Sequence, residues 1–316
     1  MKRVFLLTLS IIALLIFVSG CTQKKNNNIQ NRNGKITVIA AIFPPYDFVR
    51  AVAKDKVNLS MLLPPASESH SFEPTPKDII TIQNSDIFIY AGGESDTWVN
   101  RILGSMDTRN MTIISLMETV DVVEEEVVEG MEDAAEEEEG AAYDEHVWTS
   151  PINAMRIVQT ITETLCTADT ANADFYRQNA DGYISQLEKL DAEFQAVVDN
   201  ANRKTIVFGD RFPFRYFADR YGLSYFAAFP GCSTETEPSA STIAFLIDKI
   251  KREHIPVVFH IELGNERMAD TIAEETGAKK LRLHACHNIS KKDFESGITY
   301  IDLMHQNVEN LRRALQ

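Results

Sequence analysis

The sequence predicts an α/β protein: two α/β lobes joined by a long rigid backbone helix. Short β-rich apolar runs alternate with helical stretches between Ile36 and Leu116, and the same alternation restarts at Lys204. Between them, Tyr176, Tyr183, Leu187, Leu190, Phe194 and Val197 recur at spacings near three and four, the period of a buried helix face. Strands alternating with helices imply a mainly parallel sheet in each lobe.

In chain order, Lys2 and Arg3 precede the apolar Val4–Val18 stretch, and Ser19 and Gly20 lead into Cys21. That order is a secretory signal with a cleavage site, and its apolar part falls short of the ~20 residues that span a bilayer. Residues 1–20 are therefore expected to be a signal peptide. Residues 21–35, polar and asparagine-rich, read as a flexible tether. The N-terminal lobe is expected over 36–170. Its strands are Ile36–Ile42, ending in a loop at Phe43-Pro44-Pro45, then Val57–Leu63, Asp86–Ala91 and Met111–Leu116, with helices at Pro76–Asn84 and Trp98–Leu103. From Asp121 to Glu145 there are 13 acidic residues and no basic one, which predicts a self-repelling, mobile surface loop. Ser150 as N-cap and Pro151 at the first helical position then start a helix over Ile152–Leu165.

The linking helix is placed in 171–202, roughly 40 Å long at ~1.5 Å per residue. The C-terminal lobe over 203–316 has strands at Lys204–Phe208, Leu223–Ala228, Val257–His260 and Lys280–His284. Its helices are Phe214–Tyr221, Ser239–Glu253, Glu266–Thr276 and Tyr300–Ala314.

The chain carries 46 acidic and 31 basic residues, a formal net charge of −15. That balance argues against nucleic acid, whose binding rests on neutralising phosphates, and suits attraction of cations. Of the four cysteines, Cys21 is expected to carry lipid, leaving Cys166, Cys232 and Cys286. Cys232 and Cys286, in loops after strands, could form a disulfide or supply thiolate ligands.

Four of the seven histidines sit in loops. His70 follows the Pro64-Pro65 bend, His146 closes the acidic segment before a helix start, and His284 and His287 flank a strand end in the other half. Ligands of open α/β sheets bind beyond the carboxyl ends of strands, so the four can share an interlobe cleft. Neutral imidazole suits zinc and the later transition metals. No HExxH, G-x-S-x-G or phosphate-cradling glycine run is present, so nothing here reads as an enzyme.

These residues carry a resemblance. His70-Ser71-Phe72-Glu73-Pro74-Thr75-Pro76, Gly92-Gly93-Glu94 with Trp98, Glu145-His146-Val147-Trp148-Thr149-Ser150-Pro151, Tyr221-Gly222-Leu223 and Glu237-Pro238-Ser239 resemble the substrate-binding lipoproteins of zinc/manganese ABC importers. Val18-Ser19-Gly20-Cys21 resembles their lipobox. The resemblance implies an extracytoplasmic, monomeric metal-capture protein, lipid-anchored to the membrane through Cys21. It would deliver Zn²⁺, or alternatively Mn²⁺ or another transition metal or metal complex, to a membrane permease with a cytoplasmic ATPase. It implies ligands at His70 and His146. The family's third ligand, a histidine, falls here at Arg211, which cannot ligate and could instead contact an anion. The fourth, acidic in the family, falls near His284 and His287, with Cys232 and Asp210 as further candidates. The rivals are a surface adhesion lipoprotein on the same scaffold and a metal-dependent hydrolase.

Overall fold

Pro44 and Pro45 open a helix instead of ending the first strand in a loop. Proline lacks an N–H that the first helical turn leaves unpaired anyway, so it is tolerated there. The computed structural model describes residues 34–68, 72–131, 143–232 and 239–316. The expected signal, Cys21, His70 and residues 132–142 of the acidic segment lie outside the described residues.

The N-terminal lobe comprises β1 (Thr37–Ala40), α1 (Phe43–Ala53), β2 (Asn58–Met61), α2 (Pro76–Gln83), β3 (Ile87–Tyr90), α3 (Thr97–Leu103) and β4 (Thr112–Ser115). Its strands form a parallel sheet in the order β2-β1-β3-β4. Val38, Ile39, Ile87, Phe88 and Ile89 are all buried, as continuous apolar strands require when helices cover both faces. Two helices follow, α4 (Pro151–Ala168) and α5 (Ala173–Asp199). The C-terminal lobe contains β5 (Thr205–Val207), β6 (Arg211–Phe212), α6 (Arg215–Tyr221), β7 (Ser224–Phe226), β8 (Phe229–Pro230) and α7 (Ala240–Glu253). It continues through β9 (Val257–His260), α8 (Arg267–Thr276), β10 (Lys279–Arg282), α9 (Lys291–Ser296) and α10 (Tyr300–Leu315). Strand β5 pairs with β7 and β9 with β10, all parallel, and a parallel bridge between Phe208 and Phe259 joins the two pairs.

The long helix α5 serves both lobes. Toward its start, Tyr183 meets Phe48 of α1 edge-on at 6.0 Å, and further along Phe194 packs on Phe217 at 4.8 Å and Tyr221 at 5.5 Å. These contacts share one apolar core that runs through both lobes. Among the described residues no helix is long and apolar enough to cross a membrane.

The acidic segment is described at 121–131 and 143–145. Its described residues are an ordered strap from the N-terminal lobe onto the C-terminal one, not a mobile loop. Glu124 bridges antiparallel to Tyr143, and the Asp144 N–H donates to Val123 O at 3.0 Å. Glu125 accepts the Cys232 N–H at 2.8 Å, Tyr225 donates to Glu126 at 3.2 Å, and Thr242 donates to Gly130 O at 2.9 Å. Backbone hydrogen bonds and the buried Met131 overcome the local self-repulsion. Gly130 has φ +97°, and a Cβ there would lie 2.3 Å from the Phe245 ring. Gly130→Ala is thus expected to cost about 1–3 kcal/mol through left-handed strain and overpacking. Denaturant unfolding checks this; an unchanged midpoint would mean the strap is not docked through this residue.

Candidate metal centre

The cleft opens beyond the carboxyl ends of the strands, as parallel sheets dictate. Its lining includes Glu68 after β2, His146 before α4, Arg211 in β6, Glu262 and Leu263 after β9, and His287 after β10.

His146 is placed by its own neighbour. Asp144 Oδ1 accepts from the His146 backbone N–H at 2.7 Å and lies 3.0 Å from ring Nδ1. A carboxylate on Nδ1 fixes the ring and leaves Nε2 for a metal. Burial opposes protonation of this ring, but the Asp144, Glu145 and Glu125 carboxylates outweigh it and raise the pKa above the usual histidine value. The rings of His146 and His287 stand edge-on at 5.2 Å, with the buried Trp148 ring 5.5 Å from the first and 5.0 Å from the second.

His287 is carried by the turn after β10, and Glu262 holds that turn. The Ala285 N–H donates to Glu262 Oε2 at 2.6 Å and the His287 N–H to Oε1 at 2.9 Å. Burial pushes the Glu262 carboxyl up to about 7, against those backbone hydrogen bonds. From the opposite side, Trp148 Nε1 donates to Ala285 O at 2.8 Å. The turn is thereby tied to both lobes.

Glu145 completes the cluster. Its carboxylate accepts from Ser95 N–H at 3.1 Å and Ser95 Oγ–H at 2.6 Å, and burial pushes it up to about 7. One ligand atom each from Glu145, His146 and His287 lie within 4.8 Å of one another, all buried. Donor atoms around a tetrahedral zinc stand roughly 3.4 Å apart, so a modest contraction makes a site. Gly93 leaves the room: a Cβ there would lie 2.2 Å from Glu145 Oε2. Gly93→Ala is expected to displace Glu145 and weaken zinc binding about 10–100-fold, the usual range for disturbing a ligand's support. A chelator-competition titration measures this, and parental affinity would remove Glu145 from the ligand set.

Other residues singled out in the sequence sit differently. His284 is not part of this cluster. Its Nδ1 accepts the Cys286 N–H at 2.9 Å, its backbone exchanges hydrogen bonds with the Asn307 side chain, and burial, aided by Arg282, lowers its pKa to about 3. It is a neutral core histidine. Cys232 and Cys286 are both free thiols and buried, as is Cys166, so of the two possibilities raised by the sequence the disulfide is not formed. Cys286 Sγ faces His284 O at 3.7 Å, while the Cys232 backbone is bound to Glu125. Asp210 accepts the Arg211 and Ile261 N–H groups at 2.8 and 3.2 Å, which pins two cleft loops together. Arg211 lines the cleft, its Nη1 3.6 Å from Glu68 Oε1.

Backbone strain concentrates here. Ala66, Leu263 and Cys286, in the loops around the cleft, have φ of 69°, 57° and 62°. Each left-handed non-glycine residue costs roughly 1–2 kcal/mol, the kind of strain that clusters at ligand clamps. Leu263 is also 41% exposed at the cleft wall.

Two residues of the centre are not singled out by the sequence as ligand or support. Glu262 belongs to no motif. Glu145 stands beside a histidine inside an acidic run, where the run's composition masks it.

The family model "Zinc-uptake complex component A periplasmic" matches residues 38–314. The high-affinity zinc uptake system protein ZnuA of Bacillus subtilis is 33% identical over 315 residues, with 96% of each chain covered. The zinc-binding lipoprotein AdcA of Streptococcus pneumoniae is 30% identical over 99% of this chain, which spans 61% of AdcA's length. The crystal structure of the Zn(II)-bound ZnuA-like domain of that protein superposes with a TM-score of 0.73 at 29% identity, covering 89% of this chain and 99% of the domain. Two α/β lobes, a spanning helix and imidazoles meeting in the cleft agree with that match across the described length, and this chain belongs to the ZnuA zinc-uptake family.

Proposed function

We infer that this chain is the extracytoplasmic Zn²⁺-binding component of an ABC importer, a capture protein and not an enzyme. The buried Glu145–His146–His287 cluster at the interlobe cleft is the observation that carries the reading. Two imidazoles and one carboxylate suit zinc better than manganese, which prefers oxygen-rich surroundings. Zinc would exchange water for these side chains, with His70, assigned from its sequence motif alone, as a further ligand. Glu262 and Trp148 hold the His287 turn in place, so capture needs only a small adjustment of the lobes. The membrane permease and its ATPase are the partners that family membership implies. Lipid on Cys21 would keep the cleft beside that permease.

Elemental analysis of the purified mature chain, followed by competition titration against a zinc chelator, tests this reading. One tightly held zinc per chain is expected. Preferential retention of manganese, or zinc binding unchanged in the double variant His146→Ala/His287→Ala, would refute it.

A further inference from the structure

Arg211 is the cleft residue that zinc capture leaves unused. Its side chain is 12% exposed, it lines the same space as His146 and His287, and its nearest carboxylate, Glu68, stands 3.6 Å away, beyond hydrogen-bond length. Among the described residues only its backbone N–H makes a hydrogen bond, to Asp210. A guanidinium carries five N–H donors in a planar fork, and those of Arg211 that reach the cleft can be met by water or by a ligand.

The neighbouring carboxylates are committed elsewhere. Glu262 accepts the Ala285 and His287 N–H groups, Asp144 serves His146, Glu145 serves Ser95, and Asp210 accepts two backbone N–H groups. The fork is shaped for two oxygens of one planar or tetrahedral oxyanion. Around it Glu68, Asp144 and Asp210 oppose the entry of a lone anion. A divalent cation at the His146–His287 cluster reverses that balance.

We propose that the cleft takes zinc together with a small oxyanion, a carboxylate or a phosphate, held by the Arg211 fork with its negative charge between the guanidinium and the metal. The proposal rests on the reading of the cleft as a zinc site. It makes the cargo a zinc–oxyanion pair and Arg211 the residue that selects it. The order of binding follows from the charges: the anion enters only with the metal.

The test is zinc titration of the mature protein over a series of free Zn²⁺ concentrations, each set by a metal buffer, in chloride alone and with added acetate, bicarbonate or inorganic phosphate. Affinity is expected to rise about tenfold or more with at least one oxyanion, the scale of a charge-assisted contact. The three arms separate carboxylate from phosphate recognition. Arg211→Gln should bind zinc with an affinity that does not respond to the anion, and Arg211→Lys, keeping charge without the fork, should respond less than the parent. Equilibrium dialysis of the unmutated protein with labelled acetate or phosphate needs no variant. One anion per chain is expected with zinc and none without it. Equal affinity in every salt, an anion response retained in Arg211→Gln, or anion uptake without zinc would each overturn the proposal. A parent that binds no zinc in any salt would instead overturn the zinc reading itself.

Discussion

His287→Ala is expected to weaken zinc binding by at least about 100-fold, more than disturbing a ligand's support does, while His284→Ala lowers affinity by less than tenfold. The two histidines are three residues apart and both buried, yet their rings sit in different surroundings. His287 presents its ring to His146 at 5.2 Å and belongs to the Glu145–His146–His287 cluster. The His284 ring accepts the Cys286 N–H, and its backbone is fixed by Asn307. Removing the His284 ring orphans a buried N–H, which costs stability on the order of 1–3 kcal/mol. So the two variants should separate on two axes: affinity for His287, melting temperature for His284. His146→Ala should follow His287→Ala, and Cys232→Ala should leave affinity within a few-fold. Comparable affinity losses for His284→Ala and His287→Ala, both still folded, would mean that the ligand set is drawn wrongly.

The contrast marks where sequence reading ran out. Strand and helix positions were legible from periodicity and capping, because local composition decides them: Thr75 and Asp78 form the capping box that starts α2, and Pro151 opens α4. The loops that bear the site were legible only as locations. Whether an imidazole turns into the cleft or into the core depends on a left-handed residue such as Cys286 and on a distant carboxylate, Glu262. Neither leaves a periodic trace. Helix α1 is hidden in the sequence for a different reason. Two successive prolines read as a stop, and only the burial of Phe43, Phe48, Val49 and Val52 beneath the sheet shows them to be a start. The order of the described strap residues is hidden in the sequence because composition reports self-repulsion but not the Cys232, Tyr225 and Thr242 donors that dock them. Gly93 lies within a motif, yet its reason, the nearby Glu145 carboxylate, is visible only in three dimensions.

Zinc affinity is expected to rise steeply between pH 6 and pH 8. Burial raises the Glu145 carboxyl to about 7, and the surrounding carboxylates raise His146 above the usual histidine value despite its burial. Glu145 is therefore partly protonated in the metal-free protein near neutrality, His146 is shifted in the same direction, and zinc can bind only their deprotonated forms. Glu145 alone gives about a tenfold gain over this window, as its ionised fraction climbs from roughly a tenth to nine-tenths; His146 adds to the same sign. His284, lowered to about 3, is already neutral throughout and contributes nothing. Stability of the metal-free protein runs the other way. A carboxyl raised from 4.5 to about 7 adds stability that is complete below the unfolded value and lost as pH climbs through 7. Zinc removes that loss by giving the ionised Glu145 a counter-charge, so the melting-temperature gain on zinc addition should be larger at pH 8 than at pH 6. Titrations in buffers of different ionisation enthalpy count the protons released on binding. Glu145→Gln should release fewer protons than the parent and show a shallower pH profile. An affinity that stays flat from pH 6 to pH 8 would mean that Glu145 and His146 are not the groups zinc displaces protons from, and that the capture site lies elsewhere in the cleft.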